Sequence, residues 1–312
     1  MKVHTRIADL STITGPLHLA IGVFDGIHLG HQAVIENATE SAKNSGGTAV
    51  VVTFDPHPIR VLASKKAPRL LASLPHQVRL LSKMGIQHLL VISFDTEFAE
   101  KPAESFVNEL CESAASSGGI ARISVGESWK FGRGRGGDVA LLEKIGAEQG
   151  FSVSGVPIFE IDGVPVSSTR IREAVTHGEF EIARELLGRA YSVLGTVIEG
   201  RKLGRTLNFP TANLAVHSEQ LPPVGVYAVR ADGAGDSWNG VANLGFRPTV
   251  EGAKAKLLLE VHLFGLNHEI YGEDIEVEFV KFLRGEQKFD GLDALKAQIA
   301  ADAKAAREMF GE

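Results

Sequence analysis

The chain has 312 residues and carries 38 acidic against 32 basic side chains, a formal net charge of −6. At roughly 150 residues per domain, this length suggests two domains, and a hydrophobic fraction of 44% is enough to give each a core. The acidic balance opposes general nucleic-acid binding, and the single cysteine, Cys111, excludes an intrachain disulfide or a thiolate metal cluster.

The first half alternates strand and helix. Leu19 to Phe24 is a short apolar run ending in a glycine-bearing turn, after which Val34, Ala38 and Ala42 recur at helical spacing. Thr48 to Phe54 is β-branched and reads as a buried strand. Leu74 to Lys83 reads as a helix, His88 to Phe94 as a strand and Ala103 to Ala115 as a helix, with Cys111 a small buried hydrophobe beside Leu110. Ala121 to Val125 reads as a strand, Asp138 to Gln149 as a helix and Phe151 to Phe159 as a strand. This rhythm predicts an α/β domain with a parallel sheet, whose ligands bind beyond the carboxyl ends of the strands.

The rhythm changes near residue 188. Glu179 to Leu187 reads as a last helix stopped by Gly188. Short strand-like runs follow at Tyr191 to Ile198, Val226 to Ala231, Trp238 to Asn243 and Leu257 to Phe264, and Asp274 to Phe279 alternates polar with apolar. A small antiparallel β-barrel or sandwich is expected, then a terminal helix over Gly291 to Phe310. The expected domains are 1–187 and 188–312. No apolar stretch approaches the roughly 20 residues that span a bilayer, and Met1 to Ser11 lacks a signal-peptide core. A cytoplasmic protein with no membrane and no nucleic-acid partner is expected.

Glycine is abundant, with 34 residues, and many fall at strand ends. The run Gly22-Val23-Phe24-Asp25-Gly26-Ile27-His28-Leu29-Gly30-His31 leaves the first strand and enters the first helix. A helix amino terminus offers free N–H groups and a positive dipole end to phosphate. His28 and His31, three residues apart, can face the same oxygens and could stabilise charge developing on phosphorus. The plainer alternative is a tight turn with two surface histidines; the position after the first strand favours the phosphate site.

Val166-Ser167-Ser168-Thr169-Arg170-Ile171-Arg172 begins a helix. Its hydroxyls are simple caps or, with two arginines in one turn, part of a phosphate grip. The basic, glycine-rich run 126–138 is a mobile lid or a solvated loop. Phe54-Asp55-Pro56-His57-Pro58 could shape a ring-binding pocket or be a rigid proline turn. In the second half, the dense run is Gly200 to Asn213. Thr211 and Asn213 there are hard oxygen donors suited to Mg²⁺ with nucleotide phosphates. Asn243 to Thr249 reads as a turn. Glu260 breaks the apolar run LLLEVHLF; it is a general base for a hydroxyl or, without further context the preferred reading, an edge-strand surface charge.

Taken in order, GVFDGIHLGH, TFDPHP, FDTEFA, VSSTRIR, GRTLNFPTAN, NLGFRPT and the strand holding Glu260 resemble the bifunctional prokaryotic riboflavin kinase/FMN adenylyltransferase (FAD synthetase) family over nearly the whole chain. The resemblance implies a Rossmann-like nucleotidylyltransferase domain that joins AMP from ATP to FMN, and a barrel domain that phosphorylates riboflavin with ATP and Mg²⁺. It implies transition-state stabilisation by His28 and His31, and ATP contacts at Gly22, Phe24, Asp25, Gly30, Ser167, Ser168, Thr169, Arg170 and Arg172. It further implies flavin contacts at Asp55, Pro56, His57, Pro58, Ser128 and Phe131. In the kinase part it implies Glu260 as base, ATP contacts at Gly204, Arg205, Pro210, Thr211 and Asn213, and Mg²⁺ ligation by Thr211 and Asn213. The expected partners are riboflavin, FMN and ATP, with transient homo-oligomers allowed. The sequence departs from the family pattern at Ser128, where Asn or Asp is common, at Trp129, where Phe is usual, and at Asn208, where Gly is common. Ser128 motivates one alternative, a monofunctional riboflavin kinase with a weakened adenylyltransferase domain. Others are a nucleotidylyltransferase for a different phosphorylated substrate and a flavin-binding protein without turnover.

Overall fold

The computed structural model describes residues 1–200, 209–217, 220–247 and 256–312. It divides into two compact units, one of 1–69 and 77–168, the other of 70–76 and 169–312.

The first unit is built on a six-stranded sheet of β1 (Lys2–His4), β2 (Leu17–Ile21), β3 (Thr48–Asp55), β4 (His88–Ser93), β5 (Ile120–Gly126) and β6 (Ser152–Val156). Every pairing is parallel, and the spatial order is β1-β4-β3-β2-β5-β6. Helices cross between strands, so both faces are covered and the central strands are mostly apolar. All five residues of β2 are buried. The main core gathers Leu19 and Ile21 of β2, Val50 and Val52 of β3 and Ile123 and Val125 of β5 with Phe106, Val107 and Leu110 of the helix Ala103–Ala114. Cys111 packs against this core but is only half-buried; burial, and then Glu112, raise its thiol pKa, which lowers its thiolate fraction. The run expected as one strand over 151–159 ends as β6 at Val156, and a short hairpin follows, β7 (Glu160–Ile161) with β8 (Val164–Pro165).

The second unit contains a closed six-stranded antiparallel barrel: β9 (Ser192–Ile198), β10 (Ala212–Val216), β11 (Gly225–Gly233), β12 (Asp236–Arg247), β13 (Lys256–Leu263) and β14 (Asp274–Arg284). Closure in the order β10-β13-β12-β11-β14-β9 removes free sheet edges. Tyr227, Val229, Ala242, Leu244, Leu259, Val261, Val277 and Phe279 are among its buried residues. The carboxy-terminal helix Leu292–Phe310 packs through Ala303 and Ala306 against Ala228 and Phe264. Arg284 at the end of β14 makes a bidentate pair with Asp302 of this helix, Nη2 to Oδ2 at 2.8 Å and Nε to Oδ1 at 3.0 Å.

Packing divides the chain differently from the expected boundary at 187–190. The helices Ser168–His177 and Phe180–Leu187 group with the barrel from Thr169 onward, and so does the segment Leu70–His76. The reason is apolar and polar burial together. Phe180 stacks on Phe279 at 5.8 Å and meets Tyr227 edge-on at 5.7 Å. Ser192 donates to Glu276 at 2.9 Å, and His76 Nε2 lies 3.5 Å from the same carboxylate oxygen. Glu276 is therefore buried, against the exposure its place in the alternation of β14 suggests. Removing the Phe180 ring should cost about 3–5 kcal/mol. In a Trp129→Phe background, where Trp238 is the remaining tryptophan, Phe180→Ala is expected to lower the unfolding midpoint followed by Trp238 fluorescence. An unmoved midpoint would contradict the packing of this helix on the barrel.

Candidate functional site

The sheet order reverses direction between β2 and β5, and in open parallel sheets such a switch point opens a crevice beyond the strand ends. The turn Gly22–His28 leaves β2 at this place and the loop 127–138 leaves β5. The turn is pinned from three directions. Thr53 Oγ1 donates to the Val23 carbonyl at 3.0 Å, Gln32 Nε2 to Ile27 at 2.9 Å and Ser168 Oγ to Asp25 at 2.9 Å. Phe24 and Ile27 are held at positive φ, 52° and 44°, a conformation that costs non-glycine residues energy and persists only under tertiary restraint. The Phe24 ring lies over Gly22 so closely that a Cβ there would sit 2.8 Å from the ring.

The helix Leu29–Ser45 starts from this turn with His28 as its cap: Nδ1 accepts from the His31 amide at 3.3 Å. An accepting Nδ1 carries no proton, so in this cap the ring's proton sits on Nε2. The His28 and His31 rings stack at 3.6 Å, and Phe24 meets His31 edge-on at 5.4 Å. Burial, and then the neighbouring His28, hold His31 well below the ordinary imidazole pKa. His31 thus stands near neutral pH as an uncharged ring beside a helix amino terminus. Asp25, named from the sequence as an ATP contact, is buried.

The loop 126–138 is folded on itself. Phe131 and Gly137 bridge, Arg133 N–H donates to the Lys101 carbonyl at 2.8 Å, and Lys130 pairs with Asp138 at 2.9 Å, while Asp138 caps the next helix. These ties fold the loop on itself, while 133–136 stay exposed. Within it Ser128 is exposed, whereas Phe131 is buried and stacks on Trp129 at 4.5 Å. Phe131 belongs to a cluster with Phe54, Phe94, Phe98 and Phe106. Asp55 and Pro56, joined by a cis peptide bond, are exposed at the carboxyl end of β3. His57 is half-buried and caps the short helix that starts at Pro58. Ser167, Ser168, Arg170 and Arg172 are half-buried and Thr169 is exposed.

In the barrel, register assembles what the sequence left scattered. Asn213 of β10 stands opposite Glu260 of β13, and Glu260 stands opposite Asn243 of β12. Their neighbours Leu214, Leu259, Val261, Ala242 and Leu244 fill the barrel, so the three polar residues share its outer face. Two earlier readings change. Asn243 to Arg247 continues β12 instead of forming a turn. Glu260 is half-buried on a strand paired on both sides, so it is no edge-strand charge. Asn213 is buried, and a Cβ on Gly200 would lie 2.1 Å from its Nδ2. Its Oδ1 accepts no hydrogen bond among the described residues. Thr211, just before β10, is exposed. Pro210 is exposed, and its carbonyl accepts from His262 Nδ1 at 2.8 Å, while Phe209 packs edge-on against the His262 ring. Gly204, Arg205, Asn208, Pro248 and Thr249 lie outside the described residues. Asn243 escaped sequence reasoning as a site residue because only pairing register sets it beside Glu260.

The chain thus has a parallel α/β unit with a capped, pinned turn at its switch point, followed by a closed barrel with a carboxylate between two amides. Known proteins have the same two parts. The family model described as FAD synthetase matches residues 11–170, and that described as riboflavin kinase matches residues 187–310. The chain is 40% identical over 294 residues to the bifunctional riboflavin kinase/FMN adenylyltransferase of Escherichia coli strain K12, covering 94% of this chain and 92% of the relative. It is 39% identical to the protein of the same description from Haemophilus influenzae, covering 94% of each. A crystal structure described as a macrolide-efflux protein from Streptococcus pneumoniae superposes with a TM-score of 0.80 at 28% identity, covering 98% of each chain. That likeness is one of fold; among the described residues no helix is long and apolar enough to cross a membrane. The chain belongs to the bifunctional riboflavin kinase/FMN adenylyltransferase family.

The histidines of the first unit make its stability depend on pH. His4, His18, His31 and His88 all lie below the ordinary value of 6.5, with burial the leading cause in each. The unfolded chain takes up these protons at the ordinary pKa and the folded chain only at lower pH. Stability is therefore complete above about pH 6.5 and falls as pH drops below it. The unfolding midpoint followed by Trp129 in a Trp238→Phe background should fall on moving from about pH 7 to about pH 5, less steeply in His31→Asn. An unchanged slope in that variant would contradict a buried neutral His31.

Proposed function

We propose that the chain makes flavin cofactors by two successive transfers at its two sites. Riboflavin kinase activity moves the ATP γ-phosphoryl group to the ribityl 5′-hydroxyl, giving FMN. FMN adenylyltransferase activity then joins AMP from a second ATP to FMN and releases pyrophosphate. The observation that carries this reading is that both family models match, in succession, along one chain. For that reason the monofunctional alternative is not favoured, Ser128 notwithstanding. The functional division assigned is 1–187 for adenylyl transfer and 188–312 for the kinase.

In the kinase part Glu260 accepts the proton of the attacking hydroxyl. Its support is geometric: the carboxylate stands between Asn213 and Asn243 on the barrel's outer face. The buried Asn213 Oδ1, with no donor among the described residues, and the Thr211 hydroxyl are neutral oxygens that fit Mg²⁺. Bound there with ATP, the ion would neutralise phosphate charge during transfer. Gly204, Arg205 and Pro210 are assigned to ATP on the resemblance.

In the adenylyltransferase part, His28 and His31 stabilise charge on the α-phosphate, and the backbone of Gly22–Gly30 lies against the triphosphate. Ser167–Arg172 supplies hydroxyl and guanidinium donors to phosphates. Asp55–Pro58 and Ser128 contact the flavin, while the burial of Phe131 suits support of the Trp129 ring more than direct contact. The reading includes a cytoplasmic location, supported by the demand for ATP, and transient self-association.

Incubating the protein with riboflavin, ATP and Mg²⁺ and separating the flavins should show FMN and then FAD. His28→Ala should abolish FAD formation and spare FMN formation, with about 1 kcal/mol lost from the helix cap. Glu260→Ala should do the reverse when FMN is supplied. Loss of both activities in each folded variant would rule out two independent sites.

A further inference from the structure

The outer face of the barrel carries a second carboxylate that the two transfers described above leave unused. Glu286 follows β14, and its Oε1 lies 2.1 Å from the point a Cβ on Gly245 would occupy. Asn243 Nδ2 lies 3.4 Å from the same point. The carboxylate thus fills space that exists only because residue 245 has no side chain. Gly245 is two residues beyond Asn243 on β12 and pairs with Leu258, two residues before Glu260 on β13. Gly245 and Glu260 are therefore diagonal neighbours on one face, roughly 7 Å apart.

Glu286 is also held from behind. Arg284 Nη1 donates to the Gly285 carbonyl at 2.9 Å, while the rest of its guanidinium is taken by Asp302. Asp302 in turn accepts from Gln298 at 2.9 Å. This network ties the turn that carries Glu286 to the carboxy-terminal helix, yet the Glu286 side chain itself is exposed. An exposed carboxylate on an anchored backbone, beside an amide and one diagonal step from Glu260, offers hydrogen-bond acceptors and donors in series along one face.

We propose that Glu286 and Asn243 bind the secondary hydroxyls of a polyol chain and so bring its terminal hydroxyl to Glu260. This inference rests on the kinase reading and adds the element that selects a substrate with a hydroxylated chain. Vicinal hydroxyls both donate and accept: the carboxylate accepts from one and the Asn243 amide donates to or accepts from the next.

The test measures riboflavin phosphorylation by the full chain, with lumiflavin, the ring without the polyol chain, as competitor. Glu286→Ala should raise KM for riboflavin about 10- to 100-fold, as expected for a lost hydrogen bond to a charged group. The inhibition constant of lumiflavin and the adenylylation of supplied FMN should stay unchanged. Gly245→Ala, whose methyl group displaces the carboxylate, should show the same split. An unmoved riboflavin KM in Glu286→Ala overturns the proposal, as does a lumiflavin constant that rises with it, which would mark a structural role. Failure of the unsubstituted chain to phosphorylate riboflavin would instead overturn the kinase reading itself.

Discussion

The ladder between β12 and β13 sets Asn243 opposite Glu260, and the ladder between β13 and β10 sets Glu260 opposite Asn213. Both belong to a barrel whose six strands close on themselves. A slip of one residue in either ladder would turn Glu260 into the apolar interior and Leu259 or Val261 outward. The interior contacts of Ala242, Leu244, Leu259 and Val261 penalise that slip. The apolar core therefore sets the position of the polar row, and no residue of the row needs to stabilise the fold for the row to be kept in place.

The first unit solves a different problem with the same means. Its turn runs through two non-glycine residues at positive φ, Phe24 and Ile27. Hydrogen bonds from Thr53, Gln32 and Ser168, which come from three separate places in the chain, hold it there. His28 takes part in the same restraint by capping the helix through Nδ1. The placement of this ring and the stability of the helix start are therefore coupled at one residue.

Burial supplies the electrostatic setting. Burial, and then the neighbouring His28, hold His31 well below the ordinary imidazole pKa beside the helix amino terminus. The overall charge of −6 is no obstacle to such a site. Among the described residues of the second unit, the buried carboxylates Glu276 and Asp302 have polar partners. Arg284 with Asp302 spans strand and helix, and the Glu276 carboxylate accepts from Ser192 beside His76. These pairs shape the backbone around the barrel face.

Much of this was legible from residue order. Leu74–Lys83 and the helix capped by Asp138 coincide with their expected bounds, because amphipathic spacing and end signals are local properties. The glycine-rich turn after β2 was likewise readable, since apolar strand, turn and helix follow one another without a break. The sequence by itself determined the two architectures and the family. Tertiary structure alone decided that Asn213, Glu260 and Asn243 form a row, that Glu286 occupies the space at Gly245, and that Phe131 is buried. It also decided that the helix Phe180–Leu187 and the segment Leu70–His76 pack with the barrel. The reason is physical: helix spacing and turn chemistry act between neighbours in the chain, whereas strand register and side-chain burial join residues far apart in it.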